Sequence, residues 1–196
     1  AHPGRHVAHP RRAPGPRGYA ADMKAGTATL LIATGAALDL ATKAWARAAL
    51  EPYGPAGDFL PFVSLRLTFN EGVSFSLLAS DGDVGRALLI GLTAILTLGL
   101  VAWAYRSQGW QRTALAVAAA GAVGNLIDRA ARWSVTDFLG LHFGSWHPFV
   151  FNLADVWISL GVGLLLLGPY LPARGSTAEA FRRNGAERPA ATDGGP

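Results

Sequence analysis

Four apolar segments, separated by polar stretches, set the pattern of this chain. They cover residues 27–46, 84–106, 113–128 and 153–171. A helix of about 20 apolar residues crosses a hydrocarbon core of about 30 Å. The third segment consists largely of Ala, Gly and Val, which suits close helix packing better than contact with lipid. The pattern therefore predicts four transmembrane helices, with the third at the centre of the bundle.

The polar stretches between these segments carry two further patterns. Apolar and polar positions alternate over residues 63–67 and 73–77, with Gly and Asn between them, which predicts short strands in a small β-rich insert. Residues 133–149 contain His142 and His147 together with five aromatic side chains, Trp133, Phe138, Phe143, Trp146 and Phe149. This second composition predicts an amphipathic segment that lies at the membrane interface.

Composition supports a membrane location. The 196 residues are 51% hydrophobic and 15% charged, and the mean hydropathy of +0.26 is high for a soluble domain. The absence of Cys excludes disulfides, thiolate nucleophiles and thiolate zinc sites. Residues 1–26 and 173–196 are polar, basic and rich in Gly and Pro, so we expect disordered tails on either side of one membrane domain at 27–172.

The first span also has the basic start and apolar centre of a cleaved signal peptide. Its length, and the presence of Asp39 and Lys43 within it, favour a retained helix. Basic residues then suggest the orientation of the bundle. The two ends and the 106–112 turn carry eleven Lys and Arg against four Asp and Glu, whereas the rest of the chain carries six against nine. The positive-inside rule therefore predicts cytoplasmic termini, with the insert and the 129–150 loop outside.

Three carboxylates and two amides stand at the edges of the most apolar segments. Asn125 and Asp128 end the third span, Asn152 and Asp155 begin the fourth, and Asp137 lies in the loop between them. In the expected orientation all five side chains lie near the outer face. Ionisable groups at membrane depth are energetically costly, so this cluster indicates a functional site.

Asp137 and Asp155 have no neighbouring cation in the sequence. If folding brings them together, like-charge repulsion and desolvation would raise one pKa, and the pair would share a proton. One carboxylate could then take a proton from water while the other polarises a carbonyl group. Alternatively, Asp155 caps the fourth span and Asp137 is a solvated loop residue. Spacing alone leaves both interpretations open.

Other polar residues allow structural explanations beside functional ones. An adjacent or cross-helix guanidinium, with Arg129 the nearest in sequence, would make Asp128 a structural anchor. Asp39 and Lys43 stand four residues apart, which favours a helical ion pair. Asn70 is expected either to form a turn or to contact a substrate carbonyl.

Two further kinds of site receive little support from the sequence. His142 and His147 lack partners at the spacing that a metal site requires, so we expect no metal there. Ser145 lies in "FGSWH", which lacks the GxSxG elbow of a serine hydrolase. The high pI near 10 follows from the charge bias toward the inner leaflet, and it does not require nucleic acid as a partner.

Five motifs of the chain together resemble those of the signal peptidase II (lipoprotein signal peptidase) family. They are "DLATK" at 39–43, "FNEGVSFSLL" at 69–78, "GNLIDR" at 124–129, "VTDF" at 135–138 and "FNLAD" at 151–155. The resemblance covers about residues 27–172. It implies an all-α membrane protein, a bundle of four transmembrane helices with a small extracytoplasmic β-cradle and an interfacial amphipathic helix.

The resemblance also assigns roles to residues. It places the family's catalytic pair on Asp137 and Asp155, and it implies substrate-positioning or site-supporting roles for Asp39, Lys43, Asn70, Gly72, Asn125, Asp128, Arg129, Asn152 and Ala154. Two positions depart from the pattern. Val156 stands where the family often has Ser, and "NEGVSF" replaces the common "NTGAAF". Neither change alters the two aspartates.

The implied activity is that of an aspartic endopeptidase of the bacterial inner membrane without metal or cofactor. It would remove the signal peptide from a diacylglyceryl-modified prolipoprotein, on the amino side of the lipidated cysteine, and a cyclic peptide of the globomycin type would inhibit it. Nothing in the sequence demands a partner chain, so a monomer is expected. The alternatives from other classes of protein are a transporter with a proton relay through Asp39, Asp128 and Asp155, and a membrane chaperone whose aspartates would tolerate Asn.

Overall fold

The computed structural model describes residues 23–72 and 83–170. This part of the chain contains four α-helices, which are α1 (Ala25–Ala49), α2 (Asp83–Arg106), α3 (Gly109–Arg132) and α4 (Leu153–Leu167), the last continued by a 3-10 turn at Gly168–Tyr170. Its four strands are β1 (Gly57–Leu60), β2 (Val63–Asn70), β3 (Val135–Phe143) and β4 (Trp146–Phe151).

The four helices are long and apolar enough to cross a membrane, which confirms the four predicted spans. Their most apolar 18-residue windows have mean hydropathies of 1.3, 2.2, 1.3 and 1.6 in chain order. Helix α3 is longer than the apolar pattern indicated, because polar residues extend it at both ends. Arg129 and Arg132 lie in its last turn, where cations complement the helix dipole, and Trp133 ends it in the left-handed conformation, with φ of 62°.

Helix α3 occupies the centre of the bundle, as the sequence predicted. Half of its apolar window is buried, against 11–28% for the other three helices. Small residues allow the close approach. A Cβ on Gly161 of α4 would lie 2.6 Å from the Ala118 Cβ, and one on Gly121 would lie 2.9 Å from Ile158 Cγ1. Backbones therefore meet where side chains are absent, the usual arrangement of packed transmembrane helices.

The four strands form one antiparallel sheet in the order β1-β2-β3-β4. Strand β2 pairs with β3 so that Asn70 opposes Val135 and Thr68 opposes Asp137. Strand β3 begins three residues after α3 ends, and β4 ends one residue before Asn152 caps α4. The sheet therefore attaches to the ends of α3 and α4, and the start of β3 lies beside both.

The resemblance implies an interfacial amphipathic helix without assigning it to particular residues, and no such helix occurs in residues 23–72 or 83–170. Residues 133–149 are the stretch that the sequence predicts as an amphipathic interfacial segment. This stretch folds as the β3–β4 hairpin, which turns at Gly144 with φ of 63°. Pro148 lacks the N–H that a helix interior requires, but it is tolerated on the edge strand β4. The predicted strand at 73–77, the second half of "NEGVSF" and both predicted tails, apart from residues 23–26, lie outside the described residues.

Candidate active site

Asp137 is a buried residue at the start of β3, with 5% of its surface exposed. Asn152, the fully buried N-cap of α4, donates a hydrogen bond from Nδ2 to Asp137 Oδ1 at 2.6 Å. The interpretation of Asp137 as a solvated loop residue is therefore wrong. Its carboxyl group faces the beginning of the fourth helix.

Asp155 lies in the first turn of α4 and contacts the same asparagine. The Asn152 N–H donates to Asp155 Oδ2 at 3.1 Å, and the Asp155 N–H donates to Asn152 Oδ1 at 3.1 Å. These reciprocal bonds form a capping box, which confirms that Asp155 caps the fourth helix. Asn125 of α3 donates from Nδ2 to Asp155 Oδ1 at 3.0 Å. Asn152 thus links both carboxyl groups, so capping and pairing occur together.

Polar side chains of α1 and α3 form a series of buried contacts that supports this pair of acids. Lys43 Nζ of α1 lies 2.7 Å from Asp39 Oδ2 and donates to Asn125 Oδ1 at 2.6 Å. Asp39 Oδ1 accepts the Ala154 N–H at 2.8 Å, which ties α1 to the first turn of α4. Asp39 and Lys43 are fully buried, and the predicted ion pair between them is confirmed.

Gly124 makes room for that ion pair, because a Cβ at this position would lie 2.5 Å from Asp39 Oδ2.

Asn70 ends β2, the strand that pairs with the start of β3. The Gly72 N–H donates to Asn70 Oδ1 at 2.9 Å, and Gly72 has φ of 79°, so the predicted turn is confirmed. The Asn70 amide also lies near enough to Asp137 to influence its protonation.

The pKa of Asp137 is raised to about 6, first because burial disfavours the charged carboxylate and then because Asp155 repels it. The side chains of Asn152, Asn70 and Lys43 oppose this rise. From α3, the Arg129 guanidinium also interacts electrostatically with Asp137 and Asp155. Asp137 is therefore a carboxyl group that exchanges its proton close to neutral pH.

Asp128 is held by cations, as predicted, but the guanidinium that bonds to it is not that of Arg129. Arg47 Nη1 of α1 lies 3.1 Å from Asp128 Oδ1, and Arg132 Nε lies 3.4 Å from the same oxygen. Asp128 Oδ2 accepts the Thr136 N–H at 2.7 Å. Arg129 Nε is buried and has no hydrogen-bond partner within the described part of the chain.

Sequence reasoning missed Arg47 and Thr136. Arg47 Nη1 donates to Thr136 Oγ1 at 2.8 Å, which connects α1 to the residue before Asp137. One signal was available, because Asp39, Lys43 and Arg47 recur every four residues and therefore share a helix face.

His142, His147 and Ser145 lie toward the other end of the hairpin. The two imidazole rings stack with centroids 5.7 Å apart, and His147 Nδ1 contacts the Ser145 carbonyl at 3.0 Å. Residues 23–72 and 83–170 contain no group of three His, Asp or Glu side chains arranged to hold a metal. The structure does not bring these three residues to the aspartate pair.

The raised pKa of Asp137 predicts a pH-dependent cost in stability. An unfolded Asp loses its proton near 3.8 and folded Asp137 near 6, so the fold loses stability as pH rises between these values. At about 1.4 kcal/mol per pKa unit, the cost above pH 6 reaches about 3 kcal/mol. Asp137→Asn should therefore gain up to about that much relative to the unmodified protein between pH 4 and pH 7. Detergent unfolding across this range measures the gain.

The exposed Asp58 on β1 supplies a matched control, because Asp58→Asn removes a carboxylate of the same sheet that is not buried. We expect the control variant to show no such trend. An equal pH trend in both variants would contradict a specific cost of burying Asp137.

The helices and the paired acids define the class of protein, an integral membrane protein with two aspartates joined through one asparagine where its sheet meets the helix bundle. The chain belongs to the signal peptidase II family, whose model, described as "Signal peptidase (SPase) II", matches residues 31–170. Together with the four apolar helices, the family match identifies the chain as a multi-pass bacterial membrane protein and a peptidase of the aspartic class. The resemblance stated from the five motifs is confirmed.

Individual relatives agree with the family match. The chain is 37% identical over 136 residues to a lipoprotein signal peptidase of Hydrogenovibrio crunogenus, covering 68% of this chain and 78% of the relative. It is 44% identical over 108 residues to one of Rhizorhabdus wittichii, covering 54% of this chain and 63% of that relative's length. A bacterial membrane enzyme solved by the in meso method at 1.9 Å has a TM-score of 0.63 and 24% identity, over 74% of this chain and 92% of its own. At 24% identity, this structural similarity supports only the assignment of the fold.

Proposed function

We propose that the protein is an intramembrane aspartyl endopeptidase that removes signal peptides from diacylglyceryl-modified prolipoproteins. It would cut on the amino side of the lipidated cysteine, with Asp137 and Asp155 as the catalytic residues. The observation that carries this proposal is that one buried residue, Asn152, contacts both carboxyl groups: its side-chain amide donates to Asp137 and its backbone N–H donates to Asp155. Shared hydrogen bonding keeps two acids close enough to act on one amide.

The two acids have different environments, which suggests different roles. We assign to Asp137, whose pKa is raised, the role of general acid. Its proton polarises the scissile carbonyl group and passes to the carbonyl oxygen. Asp155, oriented by Asn125 and Asn152, takes a proton from the attacking water. The water oxygen bonds to the carbonyl carbon, and the tetrahedral intermediate then breaks its C–N bond as Asp155 returns the proton to the leaving amine. The intermediate's hydroxyl proton returns to Asp137.

The remaining residues support these two. Asn125, Lys43 and Asp39 brace Asp155 through the series of buried contacts, and the Ala154 N–H anchors the first turn of α4 to Asp39. On the substrate side, Asn70 lies beside Asp137 and is held by the Gly72 N–H, and the Arg129 Nε, which has no partner in the described part of the chain, offers a donor to a substrate carbonyl. Asp128 anchors β3 through Thr136.

The substrate assignment follows from how a membrane would hold such a precursor. An apolar signal helix can lie against the four spans while its lipid remains in the bilayer, so only the scissile bond must be positioned by protein. We assign the active site to the outer face of the inner membrane, with both termini in the cytoplasm, from the distribution of basic residues. A monomer suffices for this activity, and it requires neither cofactor nor nucleic acid.

A proton relay through Asp39, Asp128 and Asp155 fits the structure less well. Asp39 is paired with Lys43, and Asp128 with Arg47 and Arg132, so two of the three acids are held by cations. A relay needs groups that exchange protons readily along the path.

The decisive assay compares two forms of one prolipoprotein, with and without the diacylglyceryl group, using purified enzyme in lipid. We expect cleavage of the modified form, and cleavage of the unmodified form about 10²-fold slower, because only the modified form is positioned by its lipid. A globomycin-type cyclic peptide should block the reaction, whereas chelators and serine or thiol reagents should not. Equal cleavage of both forms would contradict the substrate assignment, and inhibition by a chelator alone would contradict the aspartyl mechanism.

A further inference from the structure

Thr136, the residue before Asp137, is held at two atoms by residues outside the acid pair. Its N–H donates to Asp128 Oδ2 at 2.7 Å, and its Oγ1 accepts from Arg47 Nη1 at 2.8 Å. Arg47 Nη1 also donates to Asp128 Oδ1 at 3.1 Å, which closes a ring of three contacts. Thr136 and Asp128 are buried, and the Arg47 side chain is 18% exposed. We call Arg47, Asp128 and Thr136 the strand clamp.

The strand clamp acts beside an irregularity of the sheet. The pairing of β2 with β3 shifts register between Leu65 and Thr68, and Thr68 is the residue opposite Asp137. Such an irregularity disrupts the ladder of hydrogen bonds locally and bends the strand. The ladder therefore fixes the start of β3 less firmly than an uninterrupted pairing would. A second attachment, to α1 and α3, compensates for this.

The geometry of a strand explains how the clamp affects its neighbour. Successive side chains point to opposite faces, so the Thr136 hydroxyl and the Asp137 carboxyl leave the backbone in opposite directions. Fixing the N–H and the hydroxyl of Thr136 therefore fixes the direction of the Asp137 side chain without touching it. On its own side, Asp137 has Asn152 as a partner at 2.6 Å.

We propose that Arg47 and Thr136 are positioning residues that hold β3 against α1 and α3, so that the Asp137 carboxyl group stays aimed at Asn152 and Asp155. The clamp contacts neither the substrate nor the reacting atoms. Its effect on rate rests on the proposed function, but its effect on the surroundings of Asp137 does not.

The clamp can be tested without unfolding the protein, because cations other than Arg47 remain near Asp128. When Arg47 is removed, Asp128 still has Arg132 Nε at 3.4 Å and Lys43 Nζ at 3.9 Å. Arg47→Met therefore leaves Asp128 with cations nearby and removes the bond to the Thr136 hydroxyl. Thr136→Val removes the same bond from the other end while it keeps the shape and the N–H.

The kinetic experiment measures kcat and KM for a diacylglyceryl-modified precursor in Arg47→Met, Thr136→Val and the double variant. We expect kcat to fall about 10- to 100-fold with KM within a factor of about two, because misplacement of a catalytic group lowers rate rather than binding. The double variant should be no slower than the slower single variant, since both remove one bond. Arg47→Lys should recover part of the rate.

Matched controls are Arg66→Met and Thr93→Val. Arg66 is exposed on β2, and within the described part of the chain the Thr93 hydroxyl bonds to its own helix, at the Leu89 and Ile90 carbonyls. Both controls should cleave at the unmodified rate. Unchanged kcat in Arg47→Met and Thr136→Val, or losses that multiply in the double variant, would overturn the proposal.

A second measurement does not depend on cleavage. The stability gained by Asp137→Asn between pH 4 and pH 7 reports how firmly Asp137 is buried, and it is repeated in the Arg47→Met and Thr136→Val backgrounds. We expect the gain to shrink in both, because a freed β3 admits water to Asp137. An unchanged gain would overturn the positioning role even if the variants cleaved slowly. A reduced gain, with no cleavage by the unmodified protein, would refute the proposed function and keep the clamp.

Discussion

Asp137→Asn and Asp155→Asn should each lower the cleavage rate of a diacylglyceryl-modified precursor by about 10³-fold or more. An amide cannot donate an acidic proton to the carbonyl or accept one from water, and positioned acid–base groups contribute about 10²- to 10⁴-fold each. The substitutions preserve shape. An Asn at 137 still offers Oδ1 to the Asn152 amide, and an Asn at 155 still offers an oxygen to the Asn152 N–H.

Because shape is preserved, both variants should remain folded and inserted in the membrane. The assay therefore pairs single-turnover cleavage with a thermal melt in detergent, and Asp58→Asn serves as the control carboxylate. A variant that melts no lower than the unmodified protein and still cleaves within about tenfold of its rate would refute the aspartyl pair, since loss of an acid–base group costs more. A membrane chaperone with no catalytic role would instead be favoured if the unmodified protein did not cleave the precursor and neither Asn substitution changed its behaviour.

Lys43→Met should destabilise the protein by about 3–5 kcal/mol, the usual cost of leaving one partner of a buried ion pair uncompensated. Lys43 is fully buried, 2.7 Å from Asp39, and is the donor to Asn125 Oδ1. Its loss leaves Asp39 as a buried charge without its nearest cation and frees Asn125 from one restraint. Activity should also fall, because Asn125 orients Asp155. Unfolding by denaturing detergent measures the first effect.

Two further variants serve as controls for the Lys43→Met result. Asp39→Asn combined with Lys43→Met removes both charges and should recover most of the lost stability. Arg86→Met breaks the exposed pair between Arg86 and Glu71, 2.9 Å apart with side chains 41% and 48% exposed. An exposed pair contributes about 0–1 kcal/mol, so this variant should melt almost normally. A loss no larger in Lys43→Met than in Arg86→Met would show that the buried pair is not needed for stability.

Periodicity and charge were sufficient to predict the helices and one ion pair. Apolar spans of membrane length leave the chain few alternatives in lipid, and Asp39 and Lys43 stand at the one spacing that joins them on a helix. The β3–β4 hairpin was not predicted, because its aromatic residues are equally compatible with an interfacial helix. Pro148 and Gly144 were the available signals against that interpretation, and their positions on an edge strand and at a turn explain why they matter.

The contacts of the site depended on packing that no spacing reveals. Arg47 was overlooked because its partners Asp128 and Thr136 are 81 and 89 residues away in the sequence. Arg129 directly follows Asp128 in the sequence, but adjacent residues of a helix point in directions about 100° apart. Arg132, four residues on, lies on the same face and makes the contact. The helical period was the better guide.

The capping box places a constraint of length on the chain. Asn152 begins α4 and contacts Asp137, while Asp155 closes the box and presents the second acid. At 3.6 residues per turn, one residue more or fewer between Asn152 and Asp155 would rotate the second acid about 100° around the helix axis. The same change would also break the capping box. Where the helix starts and where its acid points are therefore a single structural variable.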